Sequence, residues 1–497
     1  MDNYFTIMAK ENCRTEKDSL GEKQIPLSAL YGIHALRAKE NFPDTQRFPE
    51  RWYRAMGAVK LACYQTISAY QDALAMQPSH SSPFSPIPSA HLTALEESAK
   101  EMMDGAYFDH FIVPACSGGA GTSINMNVNE ILANSALLKL GHPVGEYTLL
   151  DPVESANRFQ STNDAVPTAL HVAFLWGLND LEEKVNVLRK EMERLENEHR
   201  ATLRIAFTEM QEAVPSSYGR LFSAYNEALS RDWWRLSKCR ERLKLINLGG
   251  GAAGTGLSIP RFFIMEVCRT LQTLTGLPVT RSDNLPDATC HLDAIVESHA
   301  ILKSHAVTLE KMVSDLRLLA SDLSGLKEIR LPQQQMGSSI MPGKVNPVIP
   351  EFIISAAHQV YANDVLITSL SAQGTLDLNA YLPIIGTAFL RTLDLLIASD
   401  ITLAANLLAG LTVDNLSALQ RLYHSPSLST ALVPLIGYHE AAKVARWMKE
   451  NNGSILDANE VLHFLLPEKL SLLLQPDRLL ELGFTSASQK GGSSEKK

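Results

Sequence analysis

The chain has 497 residues, of which 45% are hydrophobic and 20% are charged. This balance is typical of a globular protein with enough apolar material for a large core. A formal net charge of −9 gives no bulk attraction for nucleic acid or for an anionic membrane. Any anionic ligand must therefore be held by a local basic or dipolar site. The 6 cysteines are scattered, with no CxxC pair or Cys/His cluster, which favours idle thiols in a reducing cytoplasm over a zinc site.

The chain shows no export or membrane signal. The segment from Met1 to Lys17 lacks the apolar core of a signal peptide. Apolar runs such as Leu395 to Leu408 are interrupted by polar residues and are too short to cross a bilayer. A cytoplasmic location is therefore expected. The small, polar tail from Ser486 to Lys497 is predicted to be disordered.

Long amphipathic helices dominate the predicted secondary structure. From Val166 to His199, apolar residues recur at three- and four-residue steps, which predicts a helix of unusual length. The other long segments are Tyr53 to Met76, Ser217 to Ile246, Asp287 to Leu323 and Val348 to Leu408. We expect the last to break or kink near its residues Gly374, Pro383 and Gly386. Two-residue hairpin patterns are not convincing, so an all-α bundle is predicted, a fold whose facing helices can build a site.

A glycine-rich segment, Gly118 to Ser123, precedes a predicted helix. Glycines allow backbone N–H groups to approach an anion, and a helix N-terminus favours negative charge. Thr122 adds a hydroxyl. By itself this pattern is more often a plain turn than a binding site.

A second polar segment, Gln160 to Asp164, leads into the long helix. Asp164 or Asn163 is a candidate N-cap, and Pro167 fits a first turn. An alternative interpretation is that Ser161, Thr162 and Asn163 donate hydrogen bonds to a carboxylate. The segment alone does not decide between a capped helix start and a carboxylate site, and a third segment, Thr208 to Pro215, has only ordinary loop polarity.

The most informative segment is the flexible loop from Gly337 to Pro347, which carries one lysine and one asparagine. A bland surface loop does not need Ile340 and Met341 among its small residues. A serine that acts as a base must be unusually acidic, and backbone N–H donors with a nearby cation provide that environment. This loop, with Lys344, has both features.

Together these segments resemble the aspartase/fumarase superfamily. Gly337 to Asn346 matches the highly specific signature GSSxMPxKxN. Gly118 to Asn127 and Gln160 to Asp164 match the two other signature regions in the right order. The opening from Tyr31 to Phe42 resembles the aspartase type, and the similarity extends over roughly Asp18 to Leu482.

The resemblance implies an all-α, three-domain subunit and a homotetramer with a twenty-helix core, in which each active site draws on three subunits. The expected domains are an N-terminal helical domain (1–160), a central long-helix bundle (161–415) and a small C-terminal helical domain with a disordered tail (416–497). The substrate class is a small dicarboxylate. No metal or organic cofactor takes part in the family's chemistry, although some members respond to divalent cations.

The resemblance also assigns roles to individual residues. Ser338 would be the general base that removes the proton next to the β-carboxylate. That carboxylate, and the enediolate it becomes, would be held by preplaced donors, namely Thr122, Ser161, Thr162 and Ser339. Lys344 and Asn346 would hold the α-carboxylate. Asn163 and Thr208 would lie near the leaving amino group.

Glu209 is the main departure from the family pattern. Fumarases have His at this position and aspartases His or Gln, and the fumarase His pairs with a carboxylate that corresponds to Glu351. Two close carboxylates raise one pKa or recruit a cation between them. We therefore predict that Glu209 faces the ammonium group, or a larger cationic substituent, of the substrate. In the alternative, Glu209 turns away and pairs with an arginine such as Arg220.

The resemblance thus implies reversible anti-elimination of ammonia from L-aspartate to give fumarate. Glu209, and Phe159 where a small residue is usual, leave room for an N-substituted aspartate that releases fumarate and an amine. A class II fumarate hydratase is less favoured, because a neutral hydroxyl leaving group gains nothing from an added negative charge. A non-catalytic homologue is disfavoured by the presence of Ser338, Lys344 and Asn346.

Overall fold

The computed structural model describes residues 12–76, 82–324 and 327–484. The predicted disordered tail from Ser486 to Lys497 lies outside the described residues. Residues 1–11, which belong to the segment without the apolar core of a signal peptide, also lie outside the described residues.

Helices make up most of the described chain, so the all-α prediction is confirmed. The segment predicted from Val166 to His199 is the helix Thr162–Glu198. The segment predicted as one long helix from Asp287 to Leu323 is divided into Leu285–Cys290 and Asp293–Leu319. The helices are Ile33–Asn41, Glu50–Ala75, Ser89–Met103, Thr122–Lys139, Thr162–Glu198, Tyr218–Leu243, Arg261–Thr275, Leu285–Cys290, Asp293–Leu319, Val348–Ser371, Leu382–Thr402, Asn415–His424, Val433–Ile436, Tyr438–Asn451, Ile455–Leu462, Pro467–Leu473 and Pro476–Leu479.

The predicted break in the last long segment lies between Ser371 and Leu382. Pro383 is the second residue of the new helix, where its missing N–H costs no helical hydrogen bond. Gly386 is inside that helix and does not interrupt it. A Cβ at Gly386 would lie 2.7 Å from the Trp52 ring and 2.8 Å from Leu170, so this glycine allows close packing of helices.

The described residues also contain two β-hairpins that the sequence analysis missed. Cys13–Asp18 pairs with Gly21–Pro26, and Leu203–Thr208 pairs with Gln211–Ser217. We call the second, Leu203–Ser217, the Thr208 hairpin. Its two-residue turn is Glu209 and Met210, with φ of 52° and 62°. Such a turn needs positive φ at both positions and is usually built from Asn and Gly. Because Glu and Met occupy these positions here, the sequence does not show the usual hairpin pattern.

Two shorter pairings connect distant segments. Leu245–Ile246 pairs in parallel with Thr280–Arg281. Ile329–Arg330 pairs antiparallel with Thr412–Val413. The second pairing anchors the start of the loop that carries Ser338.

The chain divides into two compact units. The first contains the chain up to Glu182, Trp234–Ser304 and His358–Ile397. Its core includes fully buried aromatic residues such as Trp52 and Phe174. The second unit contains Glu183–Trp233, His305–Ala357 and the chain from Ala398 onward. One of its cores packs Leu203 and Ile205 of the Thr208 hairpin against C-terminal helices. The three expected domains remain a prediction.

The stretch Leu382–Gly410 is long and apolar enough to cross a membrane by length and composition, with a mean hydropathy of 1.5. It is longer than the run from Leu395 to Leu408 on which the sequence analysis relied. However, 72% of its apolar window is buried inside the protein. Buried contacts of this kind are typical of the core helix of a soluble protein.

Candidate active site

The glycine-rich segment forms a tight turn before the helix Thr122–Lys139. Gly119, Ala120 and Gly121 all have positive φ, of 78°, 56° and 91°. A Cβ at Gly121 would lie 3.0 Å from Val166, so the turn packs closely against the long helix. Among the described residues, no side chain caps the new helix, and Thr122 is exposed at its first position. The helix therefore begins with a hydroxyl and uncapped N–H groups, which suit a carboxylate.

Gln160 to Asp164 is a capped helix start, but the cap is Ser161. The helix begins at Thr162, so the predicted N-cap at Asp164 or Asn163 is wrong. The Asn163 N–H donates to Ser161 Oγ at 3.2 Å, and the Ser161 N–H donates to Asp164 Oδ1 at 2.8 Å. This reciprocal arrangement resembles a capping box, except that the Ser161 oxygen accepts from the second helical residue and not from the third. Because Ser161 Oγ accepts one hydrogen bond here, its own proton can be donated elsewhere.

Pro167 lies in the second turn of this helix and not in the first, as was predicted. It has no N–H, so the Asn163 carbonyl loses its usual helical donor. Asn247 replaces that donor, with Nδ2 donating to the Asn163 carbonyl at 2.8 Å and to Thr289 Oγ1 at 3.0 Å. The Asn163 side chain in turn donates to the Ala252 carbonyl at 2.7 Å. Asn163 is thereby fixed through both its backbone and its side chain.

Replacing Asn247, which is 2% exposed, by Leu should leave the Asn163 carbonyl buried without a donor. We expect the free energy of unfolding to fall by about 1–3 kcal/mol, measured by urea denaturation. Asn451→Leu is the matched control, because the exposed Asn451 side chain bonds within its own helix, to the Trp447 carbonyl. Equal stability of the two variants would contradict the role given to Asn247.

A buried polar network lies beneath this helix start. Lys60 is fully buried, and its Nζ donates to Asn129 Oδ1 at 2.6 Å and to Asn157 Oδ1 at 3.1 Å. Asn125 Nδ2 donates to Asn157 Oδ1 at 3.0 Å and to Thr162 Oγ1 at 3.3 Å. The network therefore connects the lysine to the Thr162 hydroxyl. The Thr162 oxygen accepts from Asn125, so its own proton remains available for a ligand.

Two opposite charges are buried near one another in this network. Burial lowers the pKa of Lys60 to about 8, which leaves it mainly cationic at neutral pH. Burial raises the pKa of Asp164 to about 6, although the N–H groups of Ser161 and Gly251 donate to it. The first unit thus has a cation beneath the residues expected to hold a carboxylate.

In the second unit, Thr208 and Glu209 are exposed at the tip of the Thr208 hairpin. Within the described residues, Glu209 forms no salt bridge with Arg220, which instead donates to the Leu480 carbonyl. The alternative in which these two residues pair is therefore not adopted. Glu351 forms a salt bridge of 3.4 Å with Arg317. Proximity of Glu209 to Glu351 remains a prediction.

The loop Gln333–Pro347, called here the Ser338 loop, is held by hydrogen bonds between its side chains and its own backbone. Ser338 Oγ accepts from the N–H groups of Ile340 at 3.2 Å and Met341 at 3.1 Å. Asn346 Nδ2 donates to the Gly337 carbonyl. Gly337 lies so close to Lys344 that a Cβ would collide with the Lys344 carbonyl oxygen. These contacts bring Ser338 and Asn346 onto one compact loop.

The structure thus groups the predicted site residues within each unit. The first unit holds Thr122, Ser161, Thr162 and Asn163. The second holds Thr208, Glu209, Ser338, Ser339, Lys344 and Asn346. The sequence analysis missed the supporting residues Lys60 and Asn247. A lysine among the apolar residues of a helix could have indicated a buried role for Lys60. A proline inside a helix could have indicated that another residue, here Asn247, donates to the unpaired carbonyl.

A mainly helical fold that carries these three signature loops defines a lyase of the aspartase/fumarase type. The lyase family model matches residues 21–362, and the chain belongs to this family. The predictions of the superfamily and of an enzyme of the lyase class are confirmed.

Similar proteins include two bacterial aspartate ammonia-lyases. Aspartate ammonia-lyase of Bacillus subtilis is 36% identical over 479 residues, covering 96% of this chain and 98% of that protein. Aspartate ammonia-lyase of Escherichia coli K12 is 36% identical over 450 residues, covering 89% of this chain and 91% of that protein.

Solved structures show the same fold. A fumarate lyase:delta crystallin from Brucella melitensis, solved bound to cobalt, has a TM-score of 0.87 and 34% identity, covering 95% of this chain and all of that one. A class II fumarase from Schistosoma mansoni has a TM-score of 0.82 and 27% identity, covering 93% of this chain and 98% of that one. These structural relatives include a fumarase, so the fold does not select the leaving group.

Proposed function

We propose that this chain is a carbon–nitrogen lyase that eliminates ammonia from L-aspartate to give fumarate. The observation that carries this proposal is the environment of Ser338, whose hydroxyl oxygen accepts from two backbone N–H groups. Donors aimed at an oxygen favour its ionised form. A serine alkoxide on this loop is the base that the reaction needs.

The reaction begins at a very weakly acidic C–H next to the β-carboxylate. Ser338 takes that proton, and the electron pair moves into the carboxylate to form a doubly negative enediolate. The amine then leaves from the neighbouring carbon, on the opposite face, and fumarate forms. Stabilisation of the enediolate is the largest demand on the site.

The donors for the enediolate are Thr122, Ser161 and Thr162, joined by Ser339. Ser161 and Thr162 each accept a hydrogen bond from within the protein, which leaves their protons to point at the carboxylate. The buried cation Lys60 connects to Thr162 through Asn157 and Asn125. Its charge favours the added negative charge of the intermediate.

The α-carboxylate and the amine have separate partners. Lys344 and Asn346 hold the α-carboxylate, because a lysine ammonium and an amide N–H are donors on the Ser338 loop. Asn163 and Thr208 lie near the amine. Asn163 uses Nδ2 for Ala252, so its amide oxygen can accept from an ammonium. Glu209 adds a negative charge on the amine side.

The residues of the two units act together in a homotetramer, whose sites are shared between subunits. Apolar side chains on the Ser338 loop support this assembly, since Ile340 is 83% exposed and Met336 is 82% exposed in the single chain. Exposed apolar side chains beside polar site residues are typical of surfaces that a partner covers. A second copy of this chain would be that partner.

A lyase for an N-substituted aspartate is the second candidate. Glu209 supports it, because an exposed carboxylate at a hairpin tip can face a cationic substituent larger than ammonium. Fumarate hydratase is the third candidate, since the fold is shared with a fumarase.

Release of fumarate, followed by ultraviolet absorbance, separates the three candidates. Purified protein is given L-aspartate, L-malate and a panel of N-substituted aspartates in separate reactions. Fumarate from aspartate alone is the expected result. Fumarate only from malate, or only from a substituted aspartate, would replace the proposal by the corresponding alternative.

Replacing Glu209 by Gln should weaken amine turnover specifically. Loss of a charge facing an ammonium group at a partly exposed site is expected to lower kcat/KM for aspartate about tenfold. Any residual malate activity should stay unchanged, because a hydroxyl leaving group is neutral. Glu227→Gln, on the exposed surface of a helix, is the matched control. Unchanged kinetics in the Glu209 variant would rule out the predicted contact.

A further inference from the structure

Arg421, on the helix Asn415–His424, connects two parts of the second unit that each carry candidate site residues. One part is the Thr208 hairpin, and the other is the root of the Ser338 loop at Glu328. The chain separation between Glu212 and Glu328 is more than a hundred residues. Arg421 contacts both, and no step of the proposed reaction uses it.

The contact with the hairpin is a two-point ion pair. Arg421 Nε and Nη2 lie 3.1 Å and 3.0 Å from Glu212 Oε1. The other carboxylate oxygen of Glu212 accepts from Ser425 Oγ at 2.7 Å. The Arg421 guanidinium also lies 5.4 Å from the centre of the Phe207 ring. Phe207 directly precedes Thr208, so Arg421 holds both strands of the hairpin next to its turn.

The contact with the root of the loop is electrostatic. Arg421 Nε lies 3.9 Å from Glu328 Oε1, and the Glu328 side chain is 2% exposed. Glu328 Oε2 accepts from the Tyr218 hydroxyl at 2.7 Å, whereas Oε1 has no hydrogen-bond partner among the described residues. Arg421 is therefore a nearby positive charge for a buried carboxylate that is only partly satisfied.

The backbone around Glu328 links the same helix to the Ser338 loop. The Glu328 carbonyl accepts from the Asp414 N–H at 2.7 Å, and Ile329–Arg330 pairs with Thr412–Val413. Asp414 caps the helix that carries Arg421. A shift of that helix would therefore move the first residues of the Ser338 loop.

We propose that Arg421 is a positioning residue that couples the Thr208 hairpin to the Ser338 loop. Through Glu212 it sets the hairpin tip, and through Glu328 and the Thr412–Val413 strand it sets the root of the loop. One guanidinium serves both carboxylates because Nε and Nη2 contact Glu212 while Nε also lies 3.9 Å from Glu328 Oε1. The expected effect on catalysis rests on the proposed function, since Thr208 and Ser338 belong to the amine side and the base side of that reaction.

Amide hydrogen exchange tests the coupling without any substrate. Arg421→Met removes the charge and keeps most of the length of the side chain. We expect faster exchange in both segments, 203–217 and 327–347, relative to the unaltered chain. Arg478→Met is the matched control, because the exposed Arg478 pairs with the nearby Glu481 in the C-terminal part of the chain, and it should change neither segment. Faster exchange in one segment alone, or in neither, would overturn the proposal.

Kinetics give the second readout. We expect Arg421→Met to lower kcat for fumarate formation by tenfold or more, since small displacements of reacting groups cost up to about a hundredfold. Arg421→Lys should recover part of this loss, because it restores the charge but not the fork. A lower melting temperature with kcat and KM unchanged would mean a purely structural role and would overturn the proposal.

The two proposals fail separately. If the unaltered chain releases no fumarate from any substrate while exchange changes in both segments, the coupling stands and the proposed function falls. If the Arg421→Met chain does not fold, Glu212→Gln weakens the same ion pair with a side chain of the same shape. Faster exchange in both segments, 203–217 and 327–347, would then support the coupling. Faster exchange in the hairpin alone, or in neither segment, would contradict it.

Discussion

Replacing Ser338 by Ala is expected to lower kcat for fumarate formation by roughly a thousandfold, because general-base catalysis contributes about 10²–10⁴ in rate. Alanine removes the only atom of this side chain that can take a proton. The loop backbone should stay in place, since Gly337, Lys344 and Asn346 form the contacts at its base. KM should change little, because the carboxylate-binding residues are untouched.

Initial rates over a range of aspartate concentrations check this result. Ser369→Ala is the matched control, because the Ser369 hydroxyl is exposed and bonds to its own helix at the Val365 carbonyl, 2.7 Å away. Activity of the control should equal that of the unaltered chain. A Ser338 variant that keeps more than about a tenth of the rate would exclude Ser338 as the base.

The helices could be predicted from sequence because their apolar residues repeat with the helical period. The Thr162–Glu198 helix was located to within a few residues by this repeat. The Thr208 hairpin could not be predicted in the same way. Its turn residues, Glu209 and Met210, take positive φ without the glycine or asparagine that normally reports it. Its second strand, Gln211–Ser217, does not alternate polar and apolar residues.

The residues of the candidate site differ in the same way in how far they could be predicted. Ser338 and Lys344 were found from one short signature, because their chemistry depends on neighbours in sequence. Lys60, Asn247 and Arg421 were not found, because each acts through contacts with segments far away in the chain. Asn247, for example, matters because Pro167 leaves the Asn163 carbonyl, 84 residues earlier in the chain, without its helical donor. Sequence patterns report local geometry, whereas such contacts become visible only in the folded structure.

Gly337→Ala is expected to lower kcat/KM for fumarate formation by about a hundredfold, the cost of misplacing reacting groups by an ångström. A Cβ at Gly337 would collide with the Lys344 carbonyl oxygen, which is backbone and cannot rotate away. The loop must open, so Lys344 moves away from the α-carboxylate while Ser338 moves away from the proton. KM should therefore rise and kcat should fall together.

Gly343→Ala separates this collision from simple backbone strain. Gly343 has a φ of 81°, which costs an alanine about 1 kcal/mol, but no described atom lies within 4 Å of its Cβ position. We expect a smaller loss of activity than at Gly337, and little change in melting temperature for either variant because the loop is largely exposed. Equal losses at the two glycines would show that loop strain, and not the approach of Gly337 to Lys344, controls the site. A larger loss at Gly337 would mean that the close approach of Gly337 to Lys344 keeps the proposed base, Ser338, at a fixed distance from the lysine that holds the α-carboxylate.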